Sequence, residues 1–359
     1  MKLDKVLAAA VRGGASDVIL KTGSVPRFRF NGDLISLSGG DPISPKLIEE
    51  WIRQLVPGHL TSKLKEIHDL DFSYDTPDGA RFRVNLFRQS QNFGLVLRVV
   101  NSHIKTMDEL QLPDVVHTFP EMQRGLILVT GATGSGKSTT LAAIIEEINR
   151  NRADHIITIE DPIEYVYKEQ KSTINQREIG LDTPSFSAAL RSALRQNPDV
   201  ILVGELRDRE TTETALMAAE TGHLVLSTLH TMDAVESLTR LLSYFPPHQH
   251  DSLKIMLAQT LNAIVSQRLI PRADQQGGLV PAMEIMIANE LVKEEILQGD
   301  DFRVLKDTIK NTNKTYGMQS FDQSLFHLLQ KKVITQDVAL AHASNRKDLQ
   351  LLLQGFSRN

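Results

Sequence analysis

The chain has no cysteine among its 359 residues, which excludes a disulfide framework, a thiolate zinc site, an iron–sulfur cluster and a cysteine nucleophile. It also lacks a basic excess: 40 Lys and Arg stand against 44 Asp and Glu, a formal charge of −4. The global charge that usually accompanies binding to a phosphate backbone is therefore missing, and only a local basic face is left open. No stretch approaches the roughly 18 apolar residues of a membrane span. Near the start, Lys2, Asp4 and Lys5 lie among small apolar residues with no cleavage-type segment after them, so a cytoplasmic protein is expected. Internal repeats and low-complexity tracts are absent too. What is there is ordinary globular composition, 41% hydrophobic and 23% charged, in a length that suggests about two domains.

Leu3, Val6, Leu7, Ala10 and Val11 recur at helical spacing until Gly13-Gly14, predicting a short first helix with one buried face. Arg27–Phe30, the turn Asn31-Gly32-Asp33 and Leu34–Leu37 predict a hairpin. Further on, Phe82, Val84 and Leu86 alternate with Arg81, Arg83 and Asn85, which puts apolar side chains on one sheet face and polar ones on the other. Phe93–Val100 reads as another strand. These patterns predict a small α+β domain over 1–100, followed by a linker over 101–123, where two prolines interrupt any sustained pattern.

From Arg124 the texture changes. Gly125–Thr130, His155–Ile159, Asp199–Val203 and Leu224–Ser227 are apolar nearly throughout, as strands buried on both faces of a mainly parallel sheet are. Between them, Phe186, Ala189, Leu190, Ala193 and Leu194 keep helical periodicity until Asn197-Pro198. Helices are expected over Ser237–Tyr244 and Leu253–Leu269, a short strand over Ala282–Ile287, and helices after it. The second domain, 124–359, is thus read as α/β with a helical C-terminal part.

Gly131-Ala132-Thr133-Gly134-Ser135-Gly136-Lys137-Ser138 has the phosphate-loop pattern, directly after an expected strand and before an expected helix. Glycines let such a loop turn its N–H groups toward phosphates, and the positive end of the next helix adds to the attraction. Gly131, Thr133, Gly134, Ser135, Gly136, Lys137, Ser138 and Thr139 are the expected nucleotide contacts, with Lys137 on the β and γ phosphates and the Ser138 hydroxyl on Mg²⁺. Val200–Val203 leads through Gly204 to Glu205, an acid at the carboxyl edge where a nucleotide would sit, placed to face Mg²⁺ and the attacking water. Glu160-Asp161-Pro162-Ile163-Glu164 closes the preceding strand with a second acidic cluster. The roles of general base and metal-shell acid are open between Glu164 and Glu205.

His223 and His230 bracket the strand Leu224–Leu229. His230, at its carboxyl end, fits either a γ-phosphate sensor or a structural hydrogen bond; for His223, at the other end, the structural bond is favoured. Arg81, Arg83 and Arg98 lie on polar strand faces, and pattern alone leaves them as transition-state arginines or as a solvated basic surface. Arg191 and Arg195, four apart on a helix, fit an interface or ordinary surface charge.

With these motifs in place, the chain resembles the secretion ATPases of the type II and type IV pilus systems, and within them the pilus retraction family (PilT/PilU). The similarity runs nearly end to end. It is carried by Ala15-Ser16-Asp17, Arg81-Phe82-Arg83-Val84-Asn85, the loop Gly131–Ser138, Ile159–Glu164, Leu202-Val203-Gly204-Glu205, Thr221-Gly222-His223 and Leu229-His230-Thr231. The resemblance implies a PAS-like N-terminal domain, a RecA-like ATPase domain, and a homo-hexameric ring that binds ATP and Mg²⁺ between the two. It further implies a motor for pilus retraction and twitching motility, working from the cytoplasm at the inner membrane on a pilus platform protein. A paralogous pilus ATPase is a further partner it allows, and no nucleic acid is expected. By matching position, Glu164 is the catalytic acid of the box Glu160–Glu164, Glu205 is the second acid, His223 and His230 are the box histidines, and Arg83 and Arg98 are the arginines of the small domain. The four-cysteine zinc insertion and longer N-terminal region of the assembly and type II members are not in this sequence, which favours the retraction branch. The run Leu291–Gln298 replaces that family's Ala-Ile-Arg-Asn-Leu-Ile-Arg-Glu segment and leaves primary and accessory retraction motors both open. Two rivals stand beside this reading: a RecA-like nucleic-acid translocase, and a slow nucleotide-dependent scaffold that regulates a partner motor.

Overall fold

A computed structural model describes residues 2–30, 33–37, 40–58, 68–100, 103–274, 278–299 and 301–353. The chain divides into two units, Met1–His103 with Glu164–Val166, and Ile104–Ile163 with Tyr167–Asn359.

In the first unit, α1 (Leu3–Gly13) buries Leu3, Val6, Leu7 and Ala10 and stops at Gly14, whose φ of 74° lies in the left-handed region that costs glycine little. Strands β1 (Asp17–Lys21), β2 (Arg27–Phe30) and β3 (Asp33–Ser36) follow. The β2–β3 hairpin pairs Arg27 with Ser36 and Phe30 with Asp33; its turn at Asn31-Gly32 lies outside the described residues. Helix α2 (Pro45–Leu55) begins on a Ser44 hydroxyl that accepts from Leu47 N–H, and buries Ile48, Trp51, Ile52 and Leu55. Strands β4 (Asp69–Asp75), β5 (Arg81–Gln89) and β6 (Asn92–Val99) complete a sheet of order β3-β2-β1-β6-β5-β4. Val18, Leu20, Phe82, Val84, Leu86, Leu95 and Leu97 form its buried face. The alternation that buries them puts Arg83 and Arg98 on the other face.

In the second unit, residues 104–123 are packed structure, which corrects the expected linker. Ile104, Met107, Leu112, Val116 and Phe119 are buried, and Asp114–Glu121 is a 3₁₀ helix. Its three-residue repeat and internal Pro120 hide it from a search at helical period. Then come β7 (Gly125–Thr130), α3 (Lys137–Asn151), β8 (His155–Glu160), β9 (Thr173–Glu178), α4 (Phe186–Ala193), β10 (Val200–Val203), α5 (Arg209–Glu220), β11 (Leu224–Leu229), α6 (Ala234–Ser243) and α7 (His250–Thr260). The expected helix over Leu253–Leu269 is wrong in its second half: α7 ends at Thr260, and β12 (Leu261–Pro271) follows at once. Residues 263–267 are buried without a break, and such a run reads equally as buried helix or buried strand. β13 (Leu279–Ile287) extends the short strand that was expected there.

The sheet runs β13-β12-β7-β11-β10-β8-β9. The β12–β13 pair is antiparallel and the other pairs are parallel. Helices α8 (Glu290–Gln298), α9 (Val304–Asn311), α10 (Asn313–Tyr316), α11 (Phe321–Gln330), α12 (Gln336–His342) and α13 (Arg346–Leu353) finish the unit. Among the described residues, no helix is long and apolar enough to cross a membrane.

Candidate nucleotide site at the carboxyl edge of the sheet

Parallel register sets Thr130 beside Leu229, Ser227 beside Val203, and Val203 beside Ile159. The carboxyl ends of β7, β11, β10 and β8 therefore share one edge, and the loop 131–136, His230, Glu205 and Glu160 follow there in turn. His223 precedes β11 at the opposite edge, where its Nδ1 lies 2.8 Å from the Ala218 carbonyl and 3.3 Å from the Thr221 hydroxyl. That is the structural hydrogen bond favoured for it.

The loop is shaped by glycine. At Gly131, φ is 141° and an added Cβ would stand 2.4 Å from the Gln267 carbonyl oxygen; at Gly136, φ is 90° and a Cβ would stand 2.7 Å from Gln267 Nε2. Gln267 donates from Nε2 to the Ser135 carbonyl at 2.7 Å and accepts from the Thr140 hydroxyl at 2.8 Å. One position earlier, Ser266 accepts from the Thr130 hydroxyl at 2.8 Å. So β12 fastens the loop at its entrance, crest and exit. The sequence signals neither Ser266 nor Gln267, because the strand that carries them looks helical.

Lys137 is buried and donates to the Gly131 and Ala132 carbonyls at 2.8 and 3.0 Å. Ser135 Oγ is buried with no hydrogen-bond partner among the described residues. Ser138 and Thr139 are half-buried in the first turn of the 15-residue α3, while Thr133 and Gly134 are exposed. An orphaned hydroxyl, a lysine and a long helix N-terminus around a glycine cradle fit a phosphate group.

Glu205 is 8% exposed, and both its oxygens are engaged. Arg207 pairs with Oε1, and His230 Nε2 lies 3.3 Å from Oε2. Arg207 also reaches Asp161 at 3.8 Å. Its guanidinium is held protonated more firmly than usual, chiefly by the hydrogen bond to Glu205. Arg207 is a site residue that no spacing pattern marks. Glu160 accepts from the Thr158 hydroxyl at 2.6 Å and from Gln176 at 3.2 Å. Beside Glu205 opens a cleft of about 660 Å³ lined by Arg207, His230, Thr231, Arg240 and Tyr244.

The structure thus brings the loop, Glu205 and His230 to one edge. Arg81, Arg83, Arg98 and Glu164 belong to the first unit, Arg191 and Arg195 to the second. Arg83 and Arg98 face each other across β5 and β6. Arg98 Nε donates to Asp17 Oδ1 at 3.0 Å, and Arg29 approaches Oδ2 at 3.6 Å. Arg83 is exposed with no ion pair among the described residues. Glu164, also exposed, is counted with that same unit. Arg81 pairs with Asp75 at 3.4 Å. Arg191 pairs with Glu210 on the surface, and Arg195 donates to the Arg191 carbonyl at 3.0 Å.

A phosphate loop on a mainly parallel sheet, with an acid and a histidine at the same edge, defines the class as the phosphate-loop α/β proteins. Residues 2–301 match the model of the type II/IV secretion system protein family, and the chain belongs to that family. It is similar to the type IV pilus ATPase PilU of Pseudomonas aeruginosa, 39% identical over 354 residues that cover 99% of this chain and 92% of the relative. The type IV pilus retraction ATPase PilT of the same species is 41% identical over 339 residues, covering 94% and 97%. The crystal structure of the pilus retraction motor PilT with bound ADP aligns with a TM-score of 0.88 at 40% identity, over 98% of this chain and 99% of that one.

Proposed function

We propose that the chain is an ATPase motor that powers type IV pilus retraction, as a primary or an accessory motor. The observation that carries this reading is the glycine cradle closed by Gln267 and Lys137 beside Glu205, in a chain similar over nearly its whole length to PilT and PilU.

Lys137, now bonded to loop carbonyls, exchanges them for the β and γ phosphates, and the orphaned Ser135 hydroxyl gains an acceptor. Mg²⁺, held by Ser138 and approached by Glu205, would supply charge neutralisation at the phosphates; such an ion commonly takes only one or two protein ligands beside phosphate and water. One of Glu205 and Glu164 orients or deprotonates the attacking water while the other stands in the metal shell. For Glu205 to act, Arg207 has to release it, and Asp161 is the nearby acid that receives the guanidinium. His230 holds the other carboxylate oxygen and senses the filled site. Arg83 and Arg98 supply the transition-state charge when the first unit is set over a nucleotide, which makes domain closure and hydrolysis one event.

A homo-hexameric ring of such units, peripheral to the inner membrane and working on its pilus platform protein, turns successive closures into stepwise pulling. The test is ATP turnover by the purified chain. Hydrolysis that Lys137→Ala abolishes supports the reading; no hydrolysis, or turnover that appears only with DNA, overturns it.

A further inference from the structure

Thr130, Ser266 and Glu284 stand in register across β7, β12 and β13. The Thr130 hydroxyl donates to Ser266. Glu284, opposite Ser266, turns a carboxylate from a residue only 8% exposed onto another element: Oε1 accepts at 2.9 Å from the N–H of Ala234, the first residue of α6. The row therefore starts at the residue that enters the phosphate loop and ends on the turn that follows His230. That turn has fastenings of its own. Glu236 accepts from Met232 N–H at 2.8 Å, Asp233 accepts from Glu236 N–H at 2.7 Å, and the Thr231 and Ser237 hydroxyls lie 2.6 Å apart. These bonds order the start of α6 internally but tie it to nothing else. Ala234 and Leu238 also pack into the core with β12 and β13 residues, and the polar tie between the start of α6 and the sheet is the bond from Ala234 N–H to Glu284; Lys306 ties it to α9 by meeting Asp233 at 3.0 Å.

A neutral acceptor would satisfy one backbone N–H without the cost of burying a charge. The ionised carboxylate adds strength, since charge-assisted bonds are roughly twice as strong as neutral ones and the helix N-terminus favours an anion. We propose that Glu284 is a positioning residue for hydrolysis, holding the start of α6 against the strand row that bears the phosphate loop so that His230 stays beside Glu205. This rests on the reading of the site as one that hydrolyses ATP.

Burial pushes the Glu284 carboxyl up to about 7, with the Ala234 N–H opposing the rise, Asp233 adding to it, and Lys306 and Arg268 opposing it. The charged groups that face it are thus Asp233, the N-cap of α6, Lys306 from α9 and Arg268 from β12. Protonation weakens the bond to Ala234 and loosens the turn that carries His230. Nucleotide affinity, set by Lys137 and the loop, stays as it is.

The experiment compares the full wild-type chain with Glu284→Gln and Glu284→Asp, reading ATP turnover from about pH 6 to 8, ADP affinity and thermal unfolding. Gln keeps the shape and acceptor of the protonated form. The proposal expects Glu284→Gln to turn over about tenfold more slowly than wild type at the alkaline end, in the range lost when an orienting partner is removed. Its rise with pH should shrink while ADP affinity and folding at the acid end are kept, and Glu284→Asp should recover part of the loss. Wild-type turnover and pH profile in Glu284→Gln overturn the proposal, as does a loss of ADP affinity that accounts for the whole effect. A wild-type chain that does not hydrolyse ATP overturns the functional reading itself, and that result is distinguishable from a hydrolysing wild type matched by its variant.

Discussion

Gln267 bonds to Ser135 across two elements far apart in the chain: the amide of a β12 residue donates at 2.7 Å to a carbonyl at the crest of the phosphate loop. The same amide receives the Thr140 hydroxyl of α3 at 2.8 Å, so one side chain joins the loop to the helix it introduces. This bridge fixes the loop before any phosphate arrives.

Replacing Gln267 with Leu removes both bonds at nearly constant volume. Each such bond contributes about 1 kcal/mol net, so ADP affinity is expected to fall roughly tenfold in a folded protein. Titration with ADP checks this, and undiminished affinity would show that the loop holds its shape without β12.

Lys137→Ala deletes the charge meant for the β and γ phosphates. Turnover should vanish and ATP binding weaken. Glu205→Gln should do something different: leave nucleotide binding near wild type and slow the chemical step, because it removes an acid that acts on water or metal. A Glu205→Gln variant that lost ATP affinity at a normal single-turnover rate would contradict the assignment.

Arg83 and Arg98 differ in what else they do. Arg98 neutralises the buried Asp17, whereas Arg83 is exposed with no ion pair among the described residues. In its proposed transition-state role, Arg83→Ala should cut turnover at least about a hundredfold, below the range seen for transition-state arginines, with oligomeric state, ATP binding and melting temperature kept. Arg98→Ala should cut turnover and also lower the melting temperature, since among the described residues the buried Asp17 keeps Arg29 at 3.6 Å as its cation, beside the Ser16 hydroxyl at 2.9 Å. Near wild-type hydrolysis by both variants in the wild-type oligomeric state would make the first unit a passive spacer.

The buried Glu284 gives stability a sign with pH. Its carboxyl, raised from 4.5 to about 7 in the fold, binds its proton more tightly folded than unfolded. The associated stability is present below about pH 4.5 and is lost as pH rises through about 7. At roughly 1.4 kcal/mol for each tenfold difference in proton affinity between the folded and unfolded chain, the loss amounts to about 3 kcal/mol. Wild type should therefore melt progressively lower between those limits than Glu284→Gln does, as followed by thermal unfolding across the range. Parallel curves for the two would show that Glu284 is not protonated near neutrality.

The parts of the site legible in the sequence are those built from local rules. Gly131, Gly134 and Gly136 announce a loop that needs positive φ, and Glu205 and His230 announce themselves as polar residues ending apolar strands. The parts that were hidden come from tertiary context. Leu261–Leu269 sets the apolar run Ala263–Val265 between polar Asn262 and Ser266-Gln267-Arg268 and so shows no two-residue alternation, because β12 is buried on both faces from 263 to 267, and with the strand went Ser266 and Gln267. Arg207 sits in an exposed loop, where charge carries no pattern, although it is two residues from Glu205. Val116 and Phe119, three apart, mark a 3₁₀ helix that a search at 3.6-residue period passes over.

The central claim, that ATP bound at this loop is spent on shortening a pilus, is tested most directly by tracking individual fibres on cells whose own copy carries Lys137→Ala. The account predicts that such cells still extend pili but that shortening is lost or loses speed and force. Shortening at wild-type speed and force, or cells that build no fibres at all, would contradict it.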